Sequence, residues 1–242
     1  MLMDISKWIR FNPKLTVEHT TKKYFGKYLY KIVVYCPAGR LIDSKDPMDK
    51  ALEHRRSVTK HINQSGWWGA RHHRDLDHAN VALLDVLRDI RQNRTLGVKL
   101  RVEEPRIQIY ATSESDLINL ADTQLKLYGS NIESIAGPAN DAAAEVLNSG
   151  AIIRKKDTGF RYKVIFRDGR YTHEIKMLIL NYLGSLEAGT VKVPVSAIEM
   201  LEKSTGFIWN LYIYTNDPSI TTFLNLISPG IVLNCHELIV LE

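Results

Sequence analysis

The chain has 242 residues, of which 45% are hydrophobic and 24% are charged, a composition that excludes a disordered protein and allows one or two well-packed domains. No apolar run reaches the length of a bilayer span, and the first residues lack the pattern of a signal peptide. The two cysteines, Cys36 and Cys235, are too few for a disulfide framework or a zinc knuckle. We therefore expect an intracellular, cytoplasmic protein without a membrane partner.

Positive charge is concentrated in two blocks of the sequence. The formal net charge is +5, yet residues 1–31 carry seven lysines and arginines against two acidic residues, and residues 50–74 carry six against one. Each block has a net charge of +5, and the rest of the chain sums to −5. Such concentration is typical of a surface that docks a polyanion. The alternative is a pair of solvated basic faces.

Taken in chain order, the first half alternates strand and helix signals. A strand runs into a Gly-Arg turn in YKIVVYCPAGR, a helix begins at Asp46-Pro47, and a Leu-rich helix begins near Ser113 and Asp116, which resemble a capping box. The predicted segments are a strand within 30–40, a helix at 47–62, a strand at 98–104, a strand and then a helix within 106–121, and a strand at 131–137.

The second half echoes this pattern. YKVIFRDGR at 162–170 resembles YKIVVYCPAGR, and WNLYIYTNDPSITTFLNLI at 209–227 resembles RIQIYATSESDLINLA at 106–121. The same order is completed by a buried helix at 177–186, a strand at 190–195 and a strand at 231–241. This order of elements predicts an α+β fold of two tandem ferredoxin-like (βαββαβ) units.

A linking helix separates the two predicted units. PANDAAAEVLNSG is typical of a short helix that is capped by Asn140 and closed by Gly150. We therefore predict an N-terminal domain at 1–137, a linking helix at 138–150 and a C-terminal domain at 151–242.

The first unit is longer than the second between matching landmarks. Gly39 and Tyr110 are 71 positions apart, whereas Gly169 and Tyr214 are 45 apart. The 26 extra residues predict a helical insertion at about 50–95. Inserted material is not needed to close a duplicated core, so it is the first place to look for function.

The insertion combines basic side chains with tryptophans. Lys50, His54 and His61 lie on one stripe of the predicted helix, and the two histidines, about 10 Å apart, are too distant to share a metal ion. Such a row can track a phosphate backbone or be an exposed polar face. Trp67 and Trp68 are flanked by glycines and followed by RHHR, a combination that binds single-stranded nucleic acids. The tryptophans could instead fill a gap against the core or form a protein interface.

The same segment contains groups that could bind a metal ion. His72, His73, Asp75, Asp77 and His78 are possible ligands or acid/base groups, but no known metal-protease, deaminase or calcium-loop motif contains them. Aspartates at the start of a helix are also what the helix dipole favours. P-loop, dinucleotide-binding and nucleophile-elbow motifs are missing from the sequence. We therefore lean towards a non-enzymatic protein with no cofactor and no metal.

Tandem ferredoxin-like units resemble the architecture of the CRISPR repeat-RNA endonucleases, and the single unit resembles an RNA-recognition motif. The last strand, NCHELIVLE, lacks the C-terminal glycine-rich loop of those nucleases, and the aromatic pattern of RNA-recognition motifs is missing as well. The resemblance therefore concerns the fold and does not assign the chain to either family.

Our favoured hypothesis is an intracellular protein that binds nucleic acid, single-stranded RNA or DNA, through a basic surface with tryptophan stacking. A second hypothesis is a structural or assembly subunit that forms a homo-oligomer or joins a larger complex. A third is a metal-dependent nuclease that uses the cluster from His72 to His78. The residues predicted to bind nucleic acid are Lys22, Lys23, Lys27, Lys50, His54, Arg55, Arg56, Lys60, His61, Trp67, Trp68, Arg71, His72, His73 and Arg74.

Overall fold

The computed structural model of the chain describes residues 3–37, 39–43, 78–103, 105–204 and 206–241. These residues form a mixed α+β structure with two five-stranded sheets, each containing parallel and antiparallel strands. The chain divides into two compact units, Met1–Ala144 (unit 1) and Glu145–Glu242 (unit 2). In the described part of the chain, no helix has the length and apolar character that a bilayer span requires.

Unit 1 is built on one mixed sheet. Its elements in chain order are α1 (Ile5–Ile9), β1 (Thr16–His19), β2 (Tyr30–Tyr35), α2 (His78–Gln92), β3 (Lys99–Glu103), β4 (Arg106–Ala111), α3 (Glu114–Thr123) and β5 (Ile132–Gly137). The sheet order is β1-β5-β2-β4-β3, in which β1 is parallel to β5 and the other neighbours are antiparallel. Successive residues of each strand point to opposite faces of the sheet.

One face of this sheet carries the core of unit 1. Ile32 and Val34 of β2 and Ile107 and Ile109 of β4 are fully buried, and α3 packs on both strands. Burial of each such side chain contributes about 1.5–3 kcal/mol to the free energy of unfolding. The alternating residues of the same strands form the open face of the sheet.

The helix α4 (Asp141–Asn148) crosses the boundary between the units. Unit 2 then contains β6 (Ile152–Arg154), β7 (Tyr162–Phe166), β8 (Gly169–Arg170), α5 (His173–Ser185), β9 (Val191–Lys192), α6 (Val195–Glu202), β10 (Phe207–Ile208), β11 (Tyr212–Thr215), α7 (Ile220–Ile227) and β12 (Val232–Val240). The main sheet has the order β6-β12-β7-β11-β9, with β6 parallel to β12. β8 and β10 pair as a separate two-stranded ribbon.

The core of unit 2 lies between its main sheet and its helices. Phe166 of β7 and Ile213 of β11 share one buried cluster with Ile179 and Leu183 of α5 and Leu224 of α7. The helices therefore cover one face of the sheet, and strand residues that alternate with Phe166 and Ile213 lie on the open face.

The two sheets have the same strand order. In unit 1 the consecutive strands β2, β3, β4 and β5 are arranged as β5-β2-β4-β3, and in unit 2 β7, β9, β11 and β12 are arranged as β12-β7-β11-β9. In each unit an earlier strand, β1 or β6, lies parallel to the last strand at the outer edge. The internal repeat of the sequence thus corresponds to a repeat of topology.

Several local predictions are confirmed. The Oγ atom of Ser113 accepts a hydrogen bond of 3.2 Å from the amide of Asp116 and caps α3. Asn140 Oδ1 accepts a bond of 2.7 Å from the amide of Ala143 at the start of α4, and Gly150 follows this helix at φ +91°. The strands of both repeats lie within the predicted segments, with shorter bounds.

Other features of the fold were not expected from the sequence. β1, β6 and the ribbon were not predicted, and residues 193–211, which link β9 to β11, contain the additional helix α6. The difference in length between the two repeats did not reveal α6, because both repeats contain a long connection. In unit 1 the connection between β2 and β3 is longer, and in unit 2 the connection between β9 and β11 is longer. The predicted helix at 47–62 lies outside the described residues, whereas α2 lies within the predicted insertion at 50–95.

Candidate nucleic-acid interface

Most of the predicted binding residues cannot be placed. Those from Lys50 to Arg74 lie outside the described residues, as do Asp75 and Asp77 of the possible metal cluster. Lys22, Lys23 and Lys27 are described, and all three belong to the segment 20–29 between β1 and β2, which we name the basic loop.

The basic loop is closed by its own backbone. The amide of Tyr24 donates to the carbonyl of Tyr28 at 2.8 Å, and the amide of Tyr28 donates to the carbonyl of Tyr24 at 2.9 Å. At the tip, Phe25 and Gly26 have φ values of +52° and +68°. The left-handed conformation is unfavourable for an aromatic residue, so the loop holds Phe25 in place at some cost. The ring of Phe25 is half exposed, and in the sequence Lys23 and Lys27 lie two positions before and after it.

The aromatic side chains of this loop pack on Tyr110 of β4. Ring centroids of Tyr24, Phe25 and Tyr28 lie 5.1, 5.0 and 6.3 Å from that of Tyr110, which is only 2% exposed. Burial raises the pKa of Tyr110 to about 12, because the phenolate would lose its hydration. Phe25 has the most exposed ring of the three loop residues, and Lys99 Nζ lies 3.8 Å from its centroid.

A tyrosine between two lysines occurs on the open face of both sheets. In unit 1, Tyr110 is the register partner of Lys31 on β2 and of Lys99 on β3. In unit 2, Tyr214 is the register partner of Lys163 on β7 and of Lys192 on β9. Residues in register on neighbouring strands point to the same face, so each sheet presents the same Lys-Tyr-Lys row.

In unit 2 the segment 155–161 between β6 and β7 is shorter than the basic loop and leaves this row partly exposed. Tyr212 and Tyr214 are partly exposed, and Lys163 Nζ lies 3.8 Å from the ring centroid of Tyr212 and 5.9 Å from that of Tyr214. The ring of Phe160 stacks against that of Tyr214 at 6.4 Å. Partial burial raises the pKa of Tyr214, so its phenol is neutral at physiological pH.

The exposed aromatic residues continue beyond this row. Tyr212 and Trp209 both line a cavity of about 190 Å³, together with Met200 of α6. The Trp209 side chain is 60% exposed, and its ring centroid lies 5.8 Å from that of the half-exposed Phe207. We name the series Phe160, Tyr214, Tyr212, Trp209 and Phe207 the aromatic track.

The backbone around Trp209 is fixed by polar contacts. The amide of Trp209 donates to Met200 Sδ at 3.1 Å, and the amide of Asn210 donates to Asp168 Oδ1 at 2.8 Å. Asn210 has a φ of +50°, a conformation that asparagine tolerates better than most residues. These two contacts fix the backbone that holds the large apolar ring of Trp209 at the surface.

Basic side chains accompany the aromatic track. Arg170 on β8 is the register partner of Phe207 and is exposed, and Lys192 is the register partner of Tyr214. Burial raises the pKa of Tyr214, and the positive charge of Arg154 on β6 acts in the opposite direction. Arg161 in turn is neutralised by Glu237 at 2.9 Å.

The open face of unit 1 has a different character. A groove of about 810 Å³ runs over it and is lined by Asn12, Lys14, Thr16, Glu18, Lys31, Val33, Tyr35, Arg106, Gln108, Ser130, Asn131, Glu133 and Ser134. Lys31 pairs with Glu18 at 3.4 Å, and Arg106 pairs with Glu133. Because acidic side chains lie beside these cations, the groove is less suited to a polyanion than the aromatic track.

No group of three or more histidine, cysteine or acidic side chains that could hold a metal ion occurs among the residues that the structure describes. The hypothesis of a nuclease depends on the segment from His72 to His78, most of which is outside that part of the chain. It stays a hypothesis.

The sequence contained a signal for part of the aromatic track. Tyr212 and Tyr214 are two positions apart in a strand, so period-two alternation places them on one face. Phe207 and Trp209 are also two positions apart, on either side of the buried Ile208, but the strand that contains Phe207 forms only through the pairing of β8 with β10. Comparison of the chain with protein-family models, curated proteins and solved structures found no match.

Proposed function

We propose that the chain is an intracellular protein that binds single-stranded nucleic acid, and that its two units are tandem ferredoxin-like domains. The aromatic track of unit 2 is the main contact, and the basic loop of unit 1 is a further one. The expectation of a cytoplasmic location comes from the sequence and its two cysteines.

The ferredoxin-like assignment is supported by topology. A βαββαβ unit gives a sheet in which the last strand is next to the first, and the third lies between the first and the second. The order β5-β2-β4-β3 in unit 1 and the order β12-β7-β11-β9 in unit 2 agree with this arrangement. β1 and β6 are then additions at the outer edge of each sheet.

The observation that carries the proposed activity is the run of accessible rings beside cationic side chains. Three pairs of neighbouring rings in the aromatic track have centroids 5.4 to 6.4 Å apart. These pairs are Phe160 and Tyr214, Tyr214 and Tyr212, and Trp209 and Phe207. Aromatic side chains stack on bases with about 1–3 kcal/mol per base, and lysines and arginines neutralise the phosphates between them. Both parts of the interaction are available along the aromatic track of unit 2.

A single strand fits this surface better than a duplex. Stacking on a protein ring requires the flat face of a base, which is covered by neighbouring base pairs inside a double helix. The structure offers no helix that carries a row of basic residues for a DNA groove within the described residues of unit 2. The proposal therefore includes a preference for unpaired strands of RNA or DNA.

A binding assay with matched variants tests the proposal. We would measure fluorescence anisotropy of a labelled single strand of about eight nucleotides at low salt, a length within the range of about 4–16 nucleotides that one single-strand-binding OB fold covers. Trp209→Ala is expected to weaken binding by about tenfold or more, because the variant lacks one stacking platform. Phe207→Ala is expected to have a smaller effect in the same direction.

Phe223→Ala is the control, because Phe223 is an exposed phenylalanine of unit 2 on the helical side of the sheet. Its affinity should equal that of the wild type. Undetectable binding of the wild type at low salt, or an equal decrease of affinity in Trp209→Ala and Phe223→Ala, would contradict the proposed site. A duplex of the same length should bind more weakly than the single strand.

A further inference from the structure

The aromatic track of unit 2 has one break. Neighbouring rings are in contact from Phe160 to Tyr214 and on to Tyr212, and again from Trp209 to Phe207. Between Tyr212 and Trp209, no contact of the two rings occurs in the described part of the chain. The cavity of about 190 Å³ lies at this break, because both of these residues line it. The gap between the rings therefore coincides with a concave opening in the surface.

The lining of this cavity is mostly apolar and carries no charge. Ala197 and Leu211 are almost fully buried and belong to the core of unit 2, and Pro194 and Met200 add further apolar surface. None of the lining residues is an aspartate, glutamate, lysine, arginine or histidine. A charged group would lose its hydration in the cavity without gaining an ion pair. The cavity therefore suits an uncharged part of a ligand.

The size of the cavity corresponds to a single ring system. A protein cavity of about 150 Å³ can hold a benzene molecule, whereas pockets for drug-sized ligands have volumes of about 300–1,000 Å³. With about 190 Å³, this cavity has room for one flat heterocycle.

Two polar residues at the cavity have hydrogen-bonding groups to spare. Ser196 of α6 and Asn210 both line the cavity and are exposed, and neither side chain has a hydrogen-bond partner among the described residues. The amide group of asparagine donates and accepts at the same time, and nucleobases present donors and acceptors side by side along their edges. These two side chains are therefore suited to the edge of a base.

The wall of the cavity at Trp209 is fixed by contacts within the protein. Met200 Sδ accepts the hydrogen bond from the amide of Trp209, and Asp168 Oδ1 accepts the one from the amide of Asn210. A site whose walls are already fixed loses less conformational entropy when a ligand enters it.

Cationic side chains lie on both sides of the break. Lys192 is the register partner of Tyr214, on one side, and Arg170 is the register partner of Phe207, on the other. Both cations are exposed. A ligand that places an uncharged ring in the cavity and anionic groups before and after it would match this distribution of charge, and a nucleotide strand has that pattern.

We propose that the cavity receives one unstacked base of the bound single strand, which lies between Tyr212 and Trp209 and closes the break in the aromatic track. This inference rests on the proposed function, since it assigns a place to one nucleotide of the same strand. The neighbouring phosphates stay outside the uncharged cavity, near Lys192 and Arg170. An aromatic side chain of a peptide has a similar size, but it lacks the phosphates that these cations would neutralise.

A variant that fills the cavity tests the inference in the anisotropy assay of the full chain. Ser196→Leu adds an apolar side chain at an exposed helical position, and it leaves Trp209 in place. We expect it to weaken binding of the single strand by about tenfold, which corresponds to the loss of one stacked base. Thr222→Leu is the matched control, because Thr222 is an exposed hydroxyl residue on α7 that does not line the cavity, and its affinity should equal that of the wild type.

Photo-crosslinking gives a second measurement that does not depend on a variant. A strand of the same length made from 4-thiothymidine is bound to the wild type and irradiated with long-wavelength ultraviolet light, and the crosslinked residues are located by mass spectrometry. A base inside the cavity should crosslink to Met200, whereas bases on the track should crosslink to Tyr214. In Ser196→Leu the crosslink at Met200 should disappear, and the one at Tyr214 should remain.

The outcomes separate the inference from the proposed function. If Trp209→Ala weakens binding but Ser196→Leu does not, the strand binds without using the cavity, and only the inference fails. A wild type without a crosslink at Met200, or an equal decrease of affinity in Ser196→Leu and Thr222→Leu, would also overturn it. A wild type that binds no single strand at low salt overturns the proposed function, and the inference with it.

Discussion

The indole nitrogen of Trp8 donates a hydrogen bond of 2.9 Å to Oε1 of Glu114, and both residues are buried in unit 1. The same carboxylate oxygen accepts a bond of 3.1 Å from the amide of Asp4. These hydrogen bonds attach α1 to the start of α3, 106 positions later in the chain. A buried carboxylate is thereby satisfied by neutral donors, and the N-terminal helix is held against the core.

We predict that Glu114→Ala lowers the free energy of unfolding of unit 1 by about 2–4 kcal/mol. The substitution leaves the buried Trp8 Nε1 and the amide of Asp4 without their acceptor, and each unsatisfied group costs about 1–3 kcal/mol. Glu114→Gln keeps a side-chain oxygen at the same distance from the backbone and should be less destabilising. Urea unfolding followed by circular dichroism measures both, and equal stability of Glu114→Ala and the wild type would show that the bonds contribute nothing.

The raised pKa of Tyr110 predicts that the folded protein loses stability in alkaline solution. Its pKa in the folded protein is about 12, whereas an ordinary tyrosine has a pKa of 10.0. Between these values the unfolded chain releases the proton more readily than the folded one, so stability falls as the pH rises through this window. Below pH 10 the whole contribution is present.

Thermal unfolding from about pH 9 to about pH 12 tests this expectation by comparing the wild type with Tyr110→Phe. Other tyrosines titrate in both proteins, so only the difference between the two curves reports on Tyr110. The stability of the wild type should decrease more than that of the variant as the pH rises. Parallel curves would mean that the phenol of Tyr110 is not protected by the basic loop.

The basic loop predicts a dependence of nucleic-acid binding on salt. If Lys22 and Lys27 bind phosphates, replacing both with glutamine should reduce the slope of log affinity against log salt by about 1.4, which is about 0.7 for each phosphate of a single strand that is no longer neutralised. Trp209→Ala should weaken binding without changing this slope, because stacking releases no counterions. The salt series of the anisotropy assay separates the two effects.

Lys155→Gln combined with Lys156→Gln is a suitable charge control, since both lysines are exposed in unit 2 and lie between β6 and β7, outside the Lys-Tyr-Lys row. This variant should bind with the slope of the wild type. An unchanged slope in the Lys22 and Lys27 variant would remove the basic loop from the proposed interface.

Local signals in the sequence were sufficient for much of the fold. The repeated Tyr-Lys and Ile-Tyr pairs located β2, β4, β7 and β11, and capping residues located the start of α3. Strand alternation, turn chemistry and caps act over a few residues, so they can be recognised without knowledge of the rest of the chain. The predicted tryptophan platform, by contrast, rests on Trp67 and Trp68, outside the described residues.

The candidate site required the tertiary structure. Sequence alone placed a lysine beside a tyrosine in each repeat, as Tyr30-Lys31 and Tyr162-Lys163, but these tyrosines are not the ones in the Lys-Tyr-Lys rows. Tyr110 and Tyr214 meet their lysines only through pairing between separate strands of each sheet. The covering of Tyr110 by the basic loop and the exposure of Trp209 beside the β8–β10 ribbon likewise depend on long-range packing, for which no local pattern exists.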